Sequence, residues 1–160
     1  MVTKKEHILS LLREVHDPEI PALDIVELGI VRDVRVHGKQ IHINITPTYS
    51  GCPAMQMIQN DIIGTLNKHG FNDVAITTVY SPAWTTGWLN AEAKQKLKEY
   101  GITPPQTVNE AVVTLPGSEM ECPFCSSHNT ELRCEFSSTA CKSLYFCNDC
   151  CQPFEHFKEI

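Results

Sequence analysis

The stretch from Ile41 to Met55, IHINITPTYSGCPAM, decides the fold of the first part of the chain. Ile41, Ile43 and Ile45 alternate with polar residues, which is the period of a strand with one buried face. Pro53 suits the first turn of a helix, and apolar residues recur after it at helical spacing (Met55, Ile58, Ile62 and Leu66). The stretch therefore predicts a strand that leads through a polar turn into a helix.

Two further segments extend this strand into a sheet. Val34 and Val36 alternate with Arg35 ahead of Gly38-Lys39, which predicts a strand and a hairpin turn. The stretch from Val74 to Tyr80 is rich in β-branched residues and predicts another strand. Together these segments predict a small three-stranded sheet.

Helical patterns flank the predicted sheet. An apolar stripe begins near Thr3 and ends at Asp17-Pro18, because a residue before proline avoids the helical conformation (Ile8, Leu11, Leu12 and Val15). Asn90 caps a last helix, which Gly101 terminates. The order helix, hairpin, helix, strand, helix predicts an α+β domain over residues 1–101, with the helices on one face of the sheet.

The cysteines indicate a second module. Seven of the eight lie between Cys122 and Cys151, in the last quarter of the 160 residues. Residues 102–120 contain Pro104-Pro105 and show no sustained period, which predicts a linker. The remaining range, 121–160, is too short to bury a large apolar core unaided. We therefore expect another source of stability there.

Two CxxC pairs predict that this source is a metal ion (Cys122 and Cys125, Cys147 and Cys150). Two such pairs complete the tetrahedral four-thiolate site that Zn²⁺ prefers in structural positions. Residues 130–136 and 143–146 are candidate strands between the pairs, so the range 121–160 is predicted to be a zinc ribbon. Iron is the alternative occupant of the same donors. Cys134, Cys141 and Cys151 lie outside this set.

Composition excludes several classes of function. Hydrophobic residues make up 42% of the chain and charged residues 20%, as in globular domains. The sequence has neither an apolar run of the ~20 residues that a membrane span requires nor a secretory signal. We therefore expect a cytoplasmic location and reduced cysteines that bind metal. The net charge of −6 argues against nucleic acid as a partner.

Cys52 is the one cysteine outside the last quarter. With Pro53 in the first helical turn, Cys52 is predicted at or beside the N-cap, where amides and the helix dipole favour a thiolate and lower its pKa. This predicts a reactive thiol or a metal ligand. A small core residue is the alternative.

Two other features stay open on the sequence alone. Asp17 and Glu19 form an acidic pair beside His16, which suits either acid/base chemistry or a loop and helix-end motif. Trp84 and Trp88 either pack over the first domain's core or present aromatic surface to a partner.

Several motifs together resemble a known family. DPEIP at 17–21, DIVELGIV at 24–31 and the turn at 46–53 resemble the small domain associated with iron–sulfur cluster assembly. PAWTT at 82–86 and STACK at 138–142 narrow the resemblance to the D subunits of the phenylacetyl-CoA 1,2-epoxidase (ring-hydroxylating) system. That system belongs to aerobic phenylacetate catabolism, and the resemblance covers nearly the whole chain.

The resemblance implies an accessory protein and not the di-iron catalytic subunit. Its implied role is maturation of the epoxidase complex, by assembling an iron–sulfur cluster or delivering it to the reductase subunit. Cys52 carries over as the transfer thiol and transient cluster ligand, with Asp17, Glu19 and Glu27 as its neighbours. The four cysteines of the CxxC pairs carry over as the set that holds structural zinc.

Two further hypotheses compete with maturation. One is a non-catalytic assembly or structural subunit that binds the oxygenase through the ribbon or the Trp84 and Trp88 surface. The other is a thiol enzyme acting on a CoA thioester, with His16 or His42 as its base. We expect the oxygenase and reductase subunits as partners, and we leave open a homodimer that shares one cluster between two Cys52 thiols.

Overall fold

The computed structural model describes residues 3–106 and 120–160, which form two compact units, Met1–Leu89 and Asn90–Ile160. The first unit contains α1 (Lys4–Leu12), β1 (Val31–His37), β2 (Gln40–Ile45), α2 (Met55–Lys68) and β3 (Val74–Thr78). The second contains α3 (Ala91–Glu99), β4 (Ile102–Thr103), β5 (Thr130–Cys134), β6 (Lys142–Cys147) and β7 (Pro153–Phe157). In the described residues, no helix combines the length and the apolar character needed to cross a membrane.

Local sequence accounts for where the first helix begins. Thr3 is its N-cap, and its hydroxyl accepts a hydrogen bond from the amide of Glu6 at 3.2 Å. The Glu6 carboxylate accepts in return from the Thr3 amide at 2.6 Å, which completes a capping box. The Thr3 amide and hydroxyl hold the pKa of Glu6 below its usual value. The first turn of α1 is therefore fixed by its own side chains.

The first sheet has the order β1-β2-β3, with β2 in the centre. β1 and β2 are antiparallel around Gly38, whose φ of 64° is accessible to glycine at low cost. β2 and β3 are parallel, and α2 forms the crossover between them. The predicted three-stranded sheet is confirmed.

The core of this unit lies on one face of the sheet. Ile41, Ile43 and Ile45 are fully buried, whereas His42 and Asn44, which point to the opposite face, are partly exposed. The buried residues of the two helices fill the same core (Ile8, Leu11, Leu12, Ile58, Ile62 and Leu66). The predicted α+β class with helices on one face is confirmed. The alternating apolar residues of the strands and the apolar stripes of the helices are buried in one core.

The second unit is built around a four-stranded sheet of order β4-β7-β6-β5. The predicted hairpin corresponds to β5 and β6, which are antiparallel. β7 adds antiparallel to β6, and the short β4 pairs in parallel with β7 through Ile102 and Glu155. One cluster of buried residues packs beside the cysteine pairs (Met120, Cys122, Tyr145, Cys147 and Phe154). Because two members of this cluster are cysteines of the CxxC pairs, a bound metal would lie against it.

The compact units divide the chain at a different place from the predicted domains. The sequence pattern predicts α3 within the domain 1–101, but α3 lies in the second unit with β4. β4 falls within the predicted linker 102–120, of which residues 107–119 lie outside the described residues. The domain ranges 1–101, 102–120 and 121–160 stay predictions.

Candidate functional site

The two CxxC pairs bring four sulfur atoms together. All four Sγ atoms lie within 4.8 Å of one another (Cys122, Cys125, Cys147 and Cys150). The Cys122–Cys150 and Cys125–Cys147 sulfur distances are 3.7 Å and 3.6 Å. A tetrahedral ion with metal–sulfur bonds of ~2.3 Å has sulfur–sulfur edges of about 3.8 Å. The donors therefore fit one tetrahedral metal ion without a large rearrangement.

The two pairs form knuckles of the same backbone geometry. The amide of Cys122 donates to the Ser127 carbonyl, and that of Cys147 donates to the Gln152 carbonyl, both at 2.9 Å. In each knuckle the residue after the second cysteine has a positive φ, 60° at Ser126 and 57° at Cys151. Equal backbone turns on both sides place two pairs of sulfurs around one point.

Ionisation of the sulfurs also favours a cation at their centre. The amides of Cys150 and, to a smaller extent, Asp149 donate to the Cys147 sulfur and lower the pKa of Cys147 to about 7. Desolvation and the neighbouring sulfurs raise the pKa of Cys150 to about 12. Four thiolates cannot form side by side without a compensating positive charge. A divalent cation supplies that charge, as in the closed thiolate sites of zinc.

The remaining ribbon cysteines take other positions. Cys134 is exposed at the end of β5, and Cys141 is buried with its sulfur 3.1 Å from the Thr139 hydroxyl. Cys151, which directly follows Cys150, is exposed. None of these three belongs to the group of sulfurs that can share one ion within the described residues.

Cys52 lies in the polar turn between β2 and α2, and two properties predicted for it are wrong. The N-cap of α2 is Ala54, so Cys52 stands two residues before the cap. Burial raises the pKa of the Cys52 thiol above its ordinary value, and hydrogen bonds from the Ala54 amide and with Thr48 oppose this only in part. The side chain is 8% exposed. Desolvation outweighs the helix terminus and favours the neutral thiol over the thiolate.

The acidic pair lies close to this thiol. Glu19 and Asp17 both raise the pKa of Cys52 through their charge, in that order. The Asp17 carboxylate is buried and accepts hydrogen bonds from the amides of Glu19 and Ile20 at 2.7 Å and 2.9 Å. The structure thus brings Cys52, Asp17 and Glu19 into one neighbourhood, and Asp17 also holds the turn that carries Glu19.

Tyr49 belongs to the same neighbourhood, although no sequence motif marks it as a site residue. Its hydroxyl donates to the Glu19 carboxylate at 3.5 Å. Its position in the same turn as Cys52 is visible in the sequence, but its contact with a residue thirty positions away is set by the fold.

Glu27 takes part in a different arrangement. The Asp24 carboxylate accepts hydrogen bonds from the amides of Val26 and Glu27 at 2.8 Å each, and Glu27 accepts from the Asp24 amide at 3.4 Å. Arg13 pairs with both acids, at 3.5 Å and 4.0 Å. This is a reciprocal cap on a single turn, which the D-x-x-E spacing at 24–27 signals. These contacts give Glu27 a structural role.

The two tryptophans belong to the packing of the first unit. Trp84 is 4% exposed, and its indole nitrogen donates to the Leu28 carbonyl at 2.7 Å. Trp88 meets it edge to face with ring centroids 6.4 Å apart, and the Arg32 guanidinium lies 3.8 Å above the Trp88 ring centroid. Of the two alternatives for this segment, the structure shows core packing for Trp84.

An α+β domain followed by a four-cysteine ribbon is the arrangement that two family models describe. The model "Iron-sulfur cluster assembly protein" matches residues 5–78, and "PaaD zinc beta ribbon domain" matches residues 107–158. The D subunit of the 1,2-phenylacetyl-CoA epoxidase from Escherichia coli K12 is 45% identical over 153 residues, which are 96% of this chain and 92% of that protein. The chain belongs to this family of epoxidase D subunits.

Other relatives match the first part of the chain. An Fe-S protein maturation auxiliary factor from Bacillus subtilis 168 is 35% identical, covering 56% of this chain and 89% of that protein. A solved structure of a domain of unknown function (DUF59) from Bacillus anthracis has a TM-score of 0.54 at 31% identity, over 58% of this chain and 90% of that one. A Thermotoga maritima protein gives 0.51 at 31% identity, over 59% and 94%. These likenesses agree with the fold of the first unit.

Proposed function

We propose that this chain is an accessory maturation factor of the phenylacetyl-CoA epoxidase complex. It assists the assembly of an iron–sulfur cluster, or its delivery to the reductase subunit, through Cys52. The proposal is supported by the family of the whole chain together with the role for which the Bacillus subtilis relative is named, Fe-S protein maturation. The cluster is cargo in this proposal and not a resident cofactor.

The single observation that carries the proposal is that the charges of Glu19 and Asp17 act on the buried Cys52 thiol in the turn before α2. Asp17 and Glu19 disfavour a bare thiolate at Cys52, but the same negative charges attract an iron cation. When iron arrives, its charge replaces the thiol proton, which is released to solvent as the iron–sulfur bond forms. The site is therefore suited to hold a protected thiol that becomes a ligand only in the presence of its cargo.

The ribbon metal has a separate role in this proposal. Zinc is the ion we assign to the four cysteines, because the donors are all sulfur and their spacing fits a closed tetrahedron. All four positions are taken by protein thiolates, so the ion contributes folding energy and offers no open coordination position. The ribbon residues hold it, and Cys52 acts elsewhere in the chain.

Anaerobic cluster transfer tests the role of Cys52. The full chain is reconstituted with iron and sulfide and mixed with cluster-free reductase subunit, and reductase loading is followed by its visible absorption. We expect Cys52→Ser to lose transfer, while the control Cys134→Ser, at an exposed cysteine of the ribbon, transfers normally. Normal loading by Cys52→Ser would remove Cys52 from the mechanism.

The same samples test whether the chain forms a homodimer that shares one cluster between two Cys52 thiols. Light scattering coupled to size exclusion reports the mass of the protein before and after reconstitution. A cluster shared between two Cys52 thiols predicts a dimer that forms only with the cluster and is lost in Cys52→Ser. A mass of one chain under both conditions would argue for a monomeric carrier.

A structural or assembly subunit is the second candidate, and exposed aromatics on the second unit favour it. Phe124 is 51% exposed and Phe136 is 62% exposed. Truncating both to alanine would then abolish co-purification with the oxygenase, while Cys52→Ser would not. The Trp84 surface is a weaker basis for docking, because that side chain is buried.

The raised pKa of Cys52 weighs against the thiol-enzyme hypothesis, because that hypothesis needs a thiolate as nucleophile.

A further inference from the structure

We infer that Asp149 is a positioning residue for the four-cysteine site, because its carboxylate ties one knuckle to the other and so raises metal affinity. The inference rests on the metal-binding role proposed for the four cysteines. It assigns a role to a side chain that is not itself a ligand and that lies between Cys147 and Cys150 in the sequence.

The contacts of Asp149 reach both knuckles. Within its own knuckle, its backbone amide donates to the Cys147 sulfur. Its side chain points to the other knuckle, where the Ser127 hydroxyl donates to one carboxylate oxygen. The Asn129 side-chain amide donates to the second oxygen at 2.7 Å. One residue thus contacts a sulfur ligand and also the segment that follows the opposite pair of ligands.

The partners of Asp149 are themselves connected. The Ser127 hydroxyl accepts from the Asn129 amide at 3.0 Å, which fixes it as a donor toward Asp149. The Asn129 carbonyl accepts from the Asn148 amide at 2.9 Å, and the two asparagine side chains are joined at 3.3 Å. We call these four residues the knuckle clasp (Ser127, Asn129, Asn148 and Asp149). Each member is held by at least two bonds, so the clasp is a network and not one flexible contact.

The two knuckles differ at the position that Asp149 occupies. They share backbone geometry, and Phe124 stands in the first knuckle where Asp149 stands in the second. Phe124 is about half exposed and has no carboxylate, so the acid of the clasp comes from the second knuckle. The backbone geometry of a knuckle therefore does not require an acid at this position. What distinguishes Asp149 from Phe124 is its side-chain contacts with the other knuckle.

The physical effect of such a clasp is preorganisation. Groups that hold metal ligands in place are worth about 10- to 100-fold in metal affinity when removed. The ribbon is a short module, so hydrogen bonds between its knuckles carry a larger share of the ligand positioning. Without the clasp, the β5–β6 ladder alone would hold the two pairs of thiolates together, and the ion would bear more of the ordering cost.

Cobalt titration of the full chain tests this inference. Metal-free protein is prepared anaerobically, titrated with Co²⁺ alone, and then competed with Zn²⁺, with the tetrahedral thiolate bands as the signal. The variants are Asp149→Asn, Ser127→Ala and their combination. The matched control is Glu135→Gln, which removes one exposed negative charge from the same unit. Both tryptophans lie in the first unit, so their fluorescence checks that this unit stays folded.

We expect Asp149→Asn to lose about 10- to 100-fold in affinity with unchanged band positions, because the four ligands are the same. Ser127→Ala should weaken binding less, and the double variant no more than Asp149→Asn, since both residues act through one network. Glu135→Gln should match the parent protein. Unchanged affinity in Asp149→Asn, or strictly additive losses, would overturn the inference.

Two outcomes keep the test decisive. If Asp149→Asn gives no cobalt bands at all, Ser127→Ala decides the matter: weakened binding supports the clasp, and parental affinity overturns it. If the parent protein itself gives no bands, the metal role of the cysteines fails, and this inference fails with it. That result differs from one in which the parent protein binds cobalt and Asp149→Asn binds it with the same affinity.

Discussion

The ammonium of Lys142 on β6 lies 2.7 Å from the carboxylate of Glu155 on β7, and the lysine side chain is only 6% exposed. The hydroxyls of Ser137 and Ser138 donate to the other oxygen of Glu155. Despite its partial burial, the bonds from Lys142 and the two serines lower the pKa of Glu155 to about 2. The loop before β6 is thus anchored on a charged pair inside the ribbon.

Breaking this pair should destabilise the ribbon. Glu155→Gln leaves a buried ammonium without its carboxylate, which typically costs about 3–5 kcal/mol. Urea denaturation of the metal-loaded protein, followed by circular dichroism, measures the loss. The control Glu131→Gln breaks an exposed pair with Arg133 and should change the unfolding free energy by less than about 1 kcal/mol. Equal losses in both variants would contradict a special role for the buried pair.

Trp84 should stabilise the first unit through its indole nitrogen as well as its ring. Trp84→Phe keeps most of the apolar surface but leaves the buried Leu28 carbonyl without its 2.7 Å donor, at a cost of about 1–3 kcal/mol. Urea denaturation followed by the fluorescence of the remaining Trp88 measures this cost. The docking-surface alternative predicts the opposite pattern, in which stability is kept and a partner is lost.

The pH dependence of Cys52 alkylation should report its buried position. The thiolate reacts with iodoacetamide and the thiol does not, so a raised pKa moves the midpoint of the rate profile to higher pH than in the urea-unfolded chain. Peptide mapping by mass spectrometry separates Cys52 from the other cysteines. Comparing midpoints rather than absolute rates removes the effect of access. A midpoint below that of the unfolded chain would restore the expectation made from the helix start.

Two glutamates should have different effects on this profile. Glu19→Gln removes a charge that raises the pKa of Cys52, so the midpoint should fall and the rate at pH 8 should increase. Glu27→Gln should leave the midpoint unchanged, because Glu27 caps the turn that begins at Asp24. Asp24→Ala, which removes the acceptor for two amides, should cost about 1 kcal/mol of stability. A shifted midpoint in Glu27→Gln would place that carboxylate in the Cys52 neighbourhood after all.

The sequence predicted the parts of the structure that depend on local pattern. The alternation at Ile41, Ile43 and Ile45 places β2, and the helical stripe after Pro53 places α2, because neighbouring residues alone determine which face is apolar. The CxxC spacing anticipates that four sulfurs can meet, since each pair is a local turn. These features need no knowledge of distant contacts.

The parts that the sequence did not predict depend on distant contacts. β4 pairs with β7 across more than fifty residues, so no local sequence pattern predicts that strand. For the same reason, no local pattern predicts that α3 belongs to the same unit as the ribbon. The direction of the Cys52 pKa shift depends on how much of the fold covers the thiol, which outweighs the helix terminus visible in the sequence. Desolvation is a property of the packed unit and not of the motif.

Removal of the ribbon metal should unfold the ribbon and leave the first compact unit folded. A strong chelator under reducing conditions should abolish the dispersed NMR resonances of residues 120–160, because the metal supplies much of the folding energy of a module of about 40 residues. The fluorescence of Trp84 and Trp88, both in the first unit, should stay unchanged. Metal analysis of the untreated protein gives the identity of the ion: zinc leaves the protein colourless, whereas iron bound by four thiolates absorbs visible light. A chelated ribbon that keeps its dispersed resonances would show that the Lys142–Glu155 pair and the apolar core suffice without an ion.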